Sequence, residues 1–149
     1  MIALRLATLA AAAAILFASP ALAASDSFED AMNSSSALYE QGRFQEAIPH
    51  AKEALAIAER EFGADDVACA AVLDNLAALY EAEFRYTEAQ PLYRRALDIR
   101  IKAYGPKHPE VVASLINLAL IYDALGDYGA AEKMDARATE IIEASNHQG

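Results

Sequence analysis

Three histidines, one cysteine and a run of serines are the side chains in this sequence that could do catalytic or metal chemistry. Metal binding or proton transfer would need them in sets. His50, His108 and His147 are widely separated, and no two histidines share one turn of a helix, the usual zinc spacing. Cys69 has no second cysteine, so neither a zinc thiolate set nor an internal disulfide can form. A nucleophile pair of Cys69 with a distant histidine would need the fold to bring them together. Cys69 fits better as a small buried apolar residue, with a disulfide to another chain as the alternative. Ser34-Ser35-Ser36 lacks the glycine-framed turn of a nucleophile elbow. The expectation is no catalysis, no metal and no cofactor.

Charge narrows the partners. The chain of 149 residues has 12 Lys+Arg against 22 Asp+Glu, a net charge of −10. Nonspecific nucleic-acid binding is excluded, because phosphate contacts need Lys and Arg. Arg94, Arg95, Arg100 and Lys102 form the one basic cluster. Its simplest role is a solvated outer helix face; contact with an anionic surface is the alternative. Hydrophobic residues make up 55% of the chain, which argues for a folded core over disorder and, at this length, for one domain.

The first 23 residues stand apart from that domain. Arg5 is followed by an apolar stretch from Leu6 to Phe17 and by small residues at Ala21-Leu22-Ala23. This predicts a secretory signal peptide cut after Ala23, leaving a domain over 24–149. The stretch is short and alanine-rich for a membrane anchor. No cysteine follows the cut to carry a lipid, so the expected location is periplasmic or secreted. Cleavage removes Arg5 and no acid, which makes the exported chain more acidic still.

A repeat organises the rest. Gly42-Arg43-Phe44-Gln45-Glu46-Ala47, Phe84-Arg85-Tyr86-Thr87-Glu88-Ala89 and Gly126-Asp127-Tyr128-Gly129-Ala130-Ala131 are offset by 42 residues each time. The same offset relates Ala54, Ala96 and Ala138, then Ile57, Ile99 and Ile141. Asn75-Leu76-Ala77 matches Asn117-Leu118-Ala119. Apolar residues recur every three and four positions, as in Val72, Leu76, Leu79, Tyr80 and Leu115, Leu118, Ile121, Tyr122. Nothing alternates with period two. Six helices are predicted, over 27–41, 45–62, 66–82, 87–104, 108–125 and 129–144, in units of about 27–64, 66–106 and 108–145. Gly42 and Gly126 suit helix ends that need a left-handed residue. Phe84 stands at the equivalent place, so its turn either avoids that conformation or is strained. Pro49 and Pro91 are expected about the first turn of their helices, where a missing N–H matters little.

These residues resemble the tetratricopeptide repeat. The likeness rests on a Gly-Asp-Tyr-like turn, on alanines in the second helix of each unit, and on small and aromatic residues in the first. The 42-residue period, His108-Pro109 and Asn-Leu-Ala are similar to the longer kinesin light chain type. Unit one departs: Ser34-Ser35 stand where Leu-Ala is usual, and Leu38-Tyr39 replaces the aromatic. The resemblance implies an all-α, right-handed solenoid of three helix-turn-helix repeats, whose first helices line a concave, ligand-binding face. The spacing agrees, since one amphipathic hairpin cannot cover its own apolar face and must stack on another.

By the repeat alignment the concave face carries Met32, Asn33, Ser36 and Glu40, then Asp74, Asn75, Ala78 and Glu81, then Ile116, Asn117, Leu120 and Asp123. The resemblance implies that Asn75 and Asn117 bond the backbone of a bound peptide, an amide being both donor and acceptor. Bridging between neighbouring helices is the equal alternative. The family's carboxylate-gripping clamps use Lys and Arg on this face, and none falls here. A neutral or basic protein segment is the expected partner. The function expected is therefore an exported, non-catalytic protein-binding module. The alternative is a self-assembling envelope protein, a homodimer through exposed apolar residues near Ile141 and Ile142 of the C-terminal repeat. A small-ligand carrier or enzyme ranks behind both.

Overall fold

The computed structural model describes residues 27–147; the segment expected to be a signal peptide lies outside them. Six helices follow in order: α1 (Phe28–Glu40), α2 (Phe44–Glu61), α3 (Val67–Ala82), α4 (Tyr86–Tyr104), α5 (Glu110–Leu125) and α6 (Tyr128–Asn146). No strand occurs among the described residues. The ends agree with the expected ones to within two residues.

Local signals set the helix starts. Ser27 and Asp66 hold extended backbone, and their side chains accept the N–H of Asp30 and Ala68 at 3.1 and 2.8 Å. His108, 42 residues after Asp66 and one residue ahead of the N-cap Pro109, accepts the Glu110 N–H on its Nδ1 at 3.2 Å. In the second helices, Arg43 and Arg85 precede the first turn and pair with Glu46 and Glu88, at 2.5 and 2.8 Å. Hydrogen bonds from these guanidinium groups hold both carboxyls below the usual range. In the third unit Asp127 takes the place of the arginine and accepts the Ala130 N–H at 3.1 Å.

Each hairpin turns through the same motif. Arg43, Arg85 and Asp127 donate their N–H to Leu38, Tyr80 and Tyr122, at 2.9, 2.8 and 2.9 Å. That six-to-one bond requires a left-handed residue just before the donor. Gly42 and Gly126 supply it with φ of 71° and 81°. Phe84 is forced into it at φ 58°, so of the two outcomes the sequence allows at this turn, strain is the one realised. The prolines differ from expectation. Pro49 and Pro91 are each the sixth residue of their helix, in the second turn, so the carbonyls of Gln45 and Thr87 lose their intrahelical partner.

Packing explains the repeat. Ala47, Ala89 and Ala131, Ala54, Ala96 and Ala138, and Ile57, Ile99 and Ile141 are all buried. The alanines let backbones approach where helices cross. Extensive packing joins only consecutive helices: α1 on α2, α2 on α3, and so to α6. A closed bundle would also bring its first and last helices together. Serial stacking defines a solenoid, with α1, α3 and α5 as the first helices of the three units. Unit one's departure has its own solution. Ser35, where the other units have Ala77 and Ala119, is fully buried and donates to Asn75 Oδ1 at 3.0 Å.

Candidate functional site

The helices α1, α3 and α5 carry no Lys or Arg at all, against seven acids among them. Every described cation belongs to the second helices or the loops. These three helices are acidic, but the residues expected on their shared face are not equally available. Asn33, Glu40, Leu120 and Asp123 are exposed, and so is Ile116; Ser36, Ala78, Glu81 and Asn117 are half-buried. Met32 instead packs against the core formed by α1 to α4.

Two expected groove residues have structural duties. Asp74 Oδ2 pairs with the Arg100 guanidinium at 2.6 Å, and Arg100 also donates to the buried Ser114 Oγ at 2.5 Å. This link ties α3, α4 and α5, so Asp74 is not a free acid for a ligand. Burial raises the Asp74 carboxyl above its usual range, against the lowering effect of Arg100. Asn75 bridges helices through Ser35. For Asn117 the corresponding neighbour is Ala77, which has no hydroxyl, and its amide has no hydrogen-bond partner among the described residues.

The basic cluster read from the sequence dissolves in three dimensions. Arg94 reaches the Tyr122 hydroxyl, Arg95 pairs with Glu59 at 2.6 Å, Arg100 with Asp74, and Lys102 with Asp65. Four partners on different elements leave no shared cationic patch, so the anionic-surface contact has no basis. Lys52 lies 5.9 Å from the Tyr80 ring and Arg94 5.9 Å from the Tyr122 ring. Both the cations and the rings are 42 residues apart, so one cation–π contact recurs at each junction between units.

A notch that the sequence did not disclose opens where α1 and α3 meet the second hairpin turn. Tyr39, Ala78, Glu81, Ala82, Phe84 and Tyr86 line it, with a volume of about 360 Å³. Phe84 is 79% exposed, and its ring stands edge-on to Tyr86 at 6.4 Å. Below, buried Tyr93 donates its hydroxyl to Glu81 Oε2 at 2.9 Å. Burial, with Glu81 beside it, pushes the Tyr93 phenol well above its ordinary range. Another hollow, of about 720 Å³, lies at the opposite end of the hairpins, between the 104–109 loop and the end of α6. Tyr104 and His108 stack there at 5.0 Å, away from the acidic face.

Cys69 is fully buried, and its Sγ–H reaches the Gly63 carbonyl at 3.2 Å. Burial raises the thiol, so the buried apolar role holds and a bond to another chain does not. His50 is half-buried on α2, with Nδ1 lacking a partner. No group of three His, Cys, Asp or Glu able to hold a metal occurs among the described residues. The apolar surface expected near the C-terminus is also smaller: Ile141 sits in the core against α5, and only Ile142 is exposed.

Hairpins in series, with one turn motif and buried alanines at a constant offset, define an α-solenoid of helical repeats. The chain belongs to the tetratricopeptide repeat family, whose model matches residues 27–102 and 69–144. Among solved structures, BtubC (BKLC) from P. vanneervenii is 29% identical, with a TM-score of 0.75, over 80% of this chain and 48% of that one. A Podosopora anserina protein with nearly identical TPR-like repeats of the kinesin light chain kind is 23% identical, TM-score 0.70, over 79% and 56%. The TPR domain of Arabidopsis FLU is 18% identical, TM-score 0.68, over 78% and 95%. The chain thus spans about half the length of the first two. No curated protein matches it. The fold is one that generally serves as a scaffold for protein–protein interaction.

Proposed function

We propose that this protein is a non-catalytic adaptor that holds an extended, basic or neutral polypeptide segment along α1, α3 and α5. One observation carries this: three successive first helices without a single cation. Glu40, Glu81 and Asp123 supply attraction for Lys and Arg, and exposed Leu120 and Ile116 offer apolar contact. The Asn117 amide, half-buried and without a hydrogen-bond partner among the described residues, supports a bond to a passing peptide group. Glu81→Lys combined with Asp123→Lys tests the reading. The wild type should capture a defined basic protein from the envelope of the cells that make it, with affinity falling as salt rises. The double variant should lose that partner at least tenfold; unchanged capture would reject the proposal.

Export is part of the same proposal, supported by Arg5, the apolar stretch and Ala21-Leu22-Ala23. N-terminal sequencing of the protein from its native cells should begin at Ala24. A chain starting at Met1 would reject export.

A further inference from the structure

We infer that the notch over Glu81 is a receptor for one cationic side chain of the bound segment, an arginine or lysine held between aromatic rings. This rests on the adaptor reading above and adds where the partner's charge is gripped. Tyr39, Phe84 and Tyr86 give three aromatic walls, and Glu81 and the small Ala78 and Ala82 complete the lining. Ring faces and a carboxylate together attract a cation more than either alone. The buried Tyr93 hydroxyl fixes the Glu81 carboxylate through Oε2 and leaves Oε1 to an outside donor. The nearby cations are already engaged: Arg85 pairs with Glu88 over the Tyr80 ring, and Arg43 pairs with Glu46. The volume of about 360 Å³ is at the small end for ligand pockets and suits one side chain.

Phe84 is the independent observation. Both flanking turns place glycine where it stands, and glycine adopts φ of 58° without strain. A large aromatic there is a conformational burden, and 79% of it is exposed, so core packing does not compensate. Strained residues of this kind concentrate at binding sites.

The probe is N-methylguanidinium, titrated into the full chain with ring resonances followed by NMR. Saturable shifts at Tyr39, Phe84 and Tyr86 are expected, weakened roughly tenfold in Phe84→Gly and restored in Phe84→Tyr. Shifts that spread over the acidic surface, or that persist in Phe84→Gly, overturn the receptor. The adaptor proposal is judged apart, by capture with Glu40→Lys combined with Asp123→Lys, neither of which lines the notch. Loss of capture there beside an unresponsive notch leaves the groove standing and removes the receptor alone.

Discussion

Arg100→Met is expected to lower folding stability by about 3 kcal/mol, near the low end of the range for orphaning one member of a buried ion pair. The side chains of Arg100 and Asp74 are only 16% and 24% exposed, so water screens their attraction little. Removing the guanidinium leaves the Asp74 carboxylate unpaired and strips Ser114 of its partner. The double variant Arg100→Met/Asp74→Asn should recover most of the loss, since the uncompensated charge is then gone. The pH dependence has a definite sign. The folded Asp74 pKa is raised, so its contribution is fully present below the ordinary carboxylate value of about 3.9 and is lost as pH rises through the folded value. Without Arg100 the pKa rises further. The penalty should therefore be greatest near neutrality and shrink as pH falls toward about 4. Urea unfolding of both variants at several pH values checks this; a penalty that does not change with pH would refute it.

Ala96→Leu should cost about 1–3 kcal/mol by overpacking. Ala96 is fully buried, and α4 packs extensively on both α3 and α5. The added methylenes have no outlet without moving a helix. Ala138 is its equivalent on α6, which packs extensively on α5 alone. Ala138→Leu should cost less, because α6 can shift outward. The pair makes a matched comparison by urea midpoint at constant m-value. Equal losses would contradict serial stacking, whatever the absolute size.

The helices, turns and buried alanines were legible because each repeats with the chain. A constant offset of 42 exposes Ala47, Ala89 and Ala131 as one structural position, and the burial follows from the crossing they share. The recurrent pairing of Lys52 with Tyr80 and of Arg94 with Tyr122 lay in the same offset and could have been found there. Contacts between unlike positions leave no such trace. Arg100 and Asp74 are 26 residues apart, with no periodicity to join them, so the repeat alone puts Asp74 in the groove and Arg100 on an outer face. The notch escaped for another reason. Tyr39 lies in the last turn of one helix, and Phe84 and Tyr86 lie at a turn, where face periodicity stops. The Phe84 departure from glycine was the one visible sign. Asn75 shows the limit of alignment within the repeat: its partner Ser35 is the residue at which unit one breaks the pattern.

Because each helix leans mainly on the next along the chain, the molecule resembles a short spring. A small rotation at one junction adds to those at the others, so the curvature of the whole can change while no single contact is broken. Tension between its two ends would be met first by uncoiling and only later by peeling away the outermost hairpin.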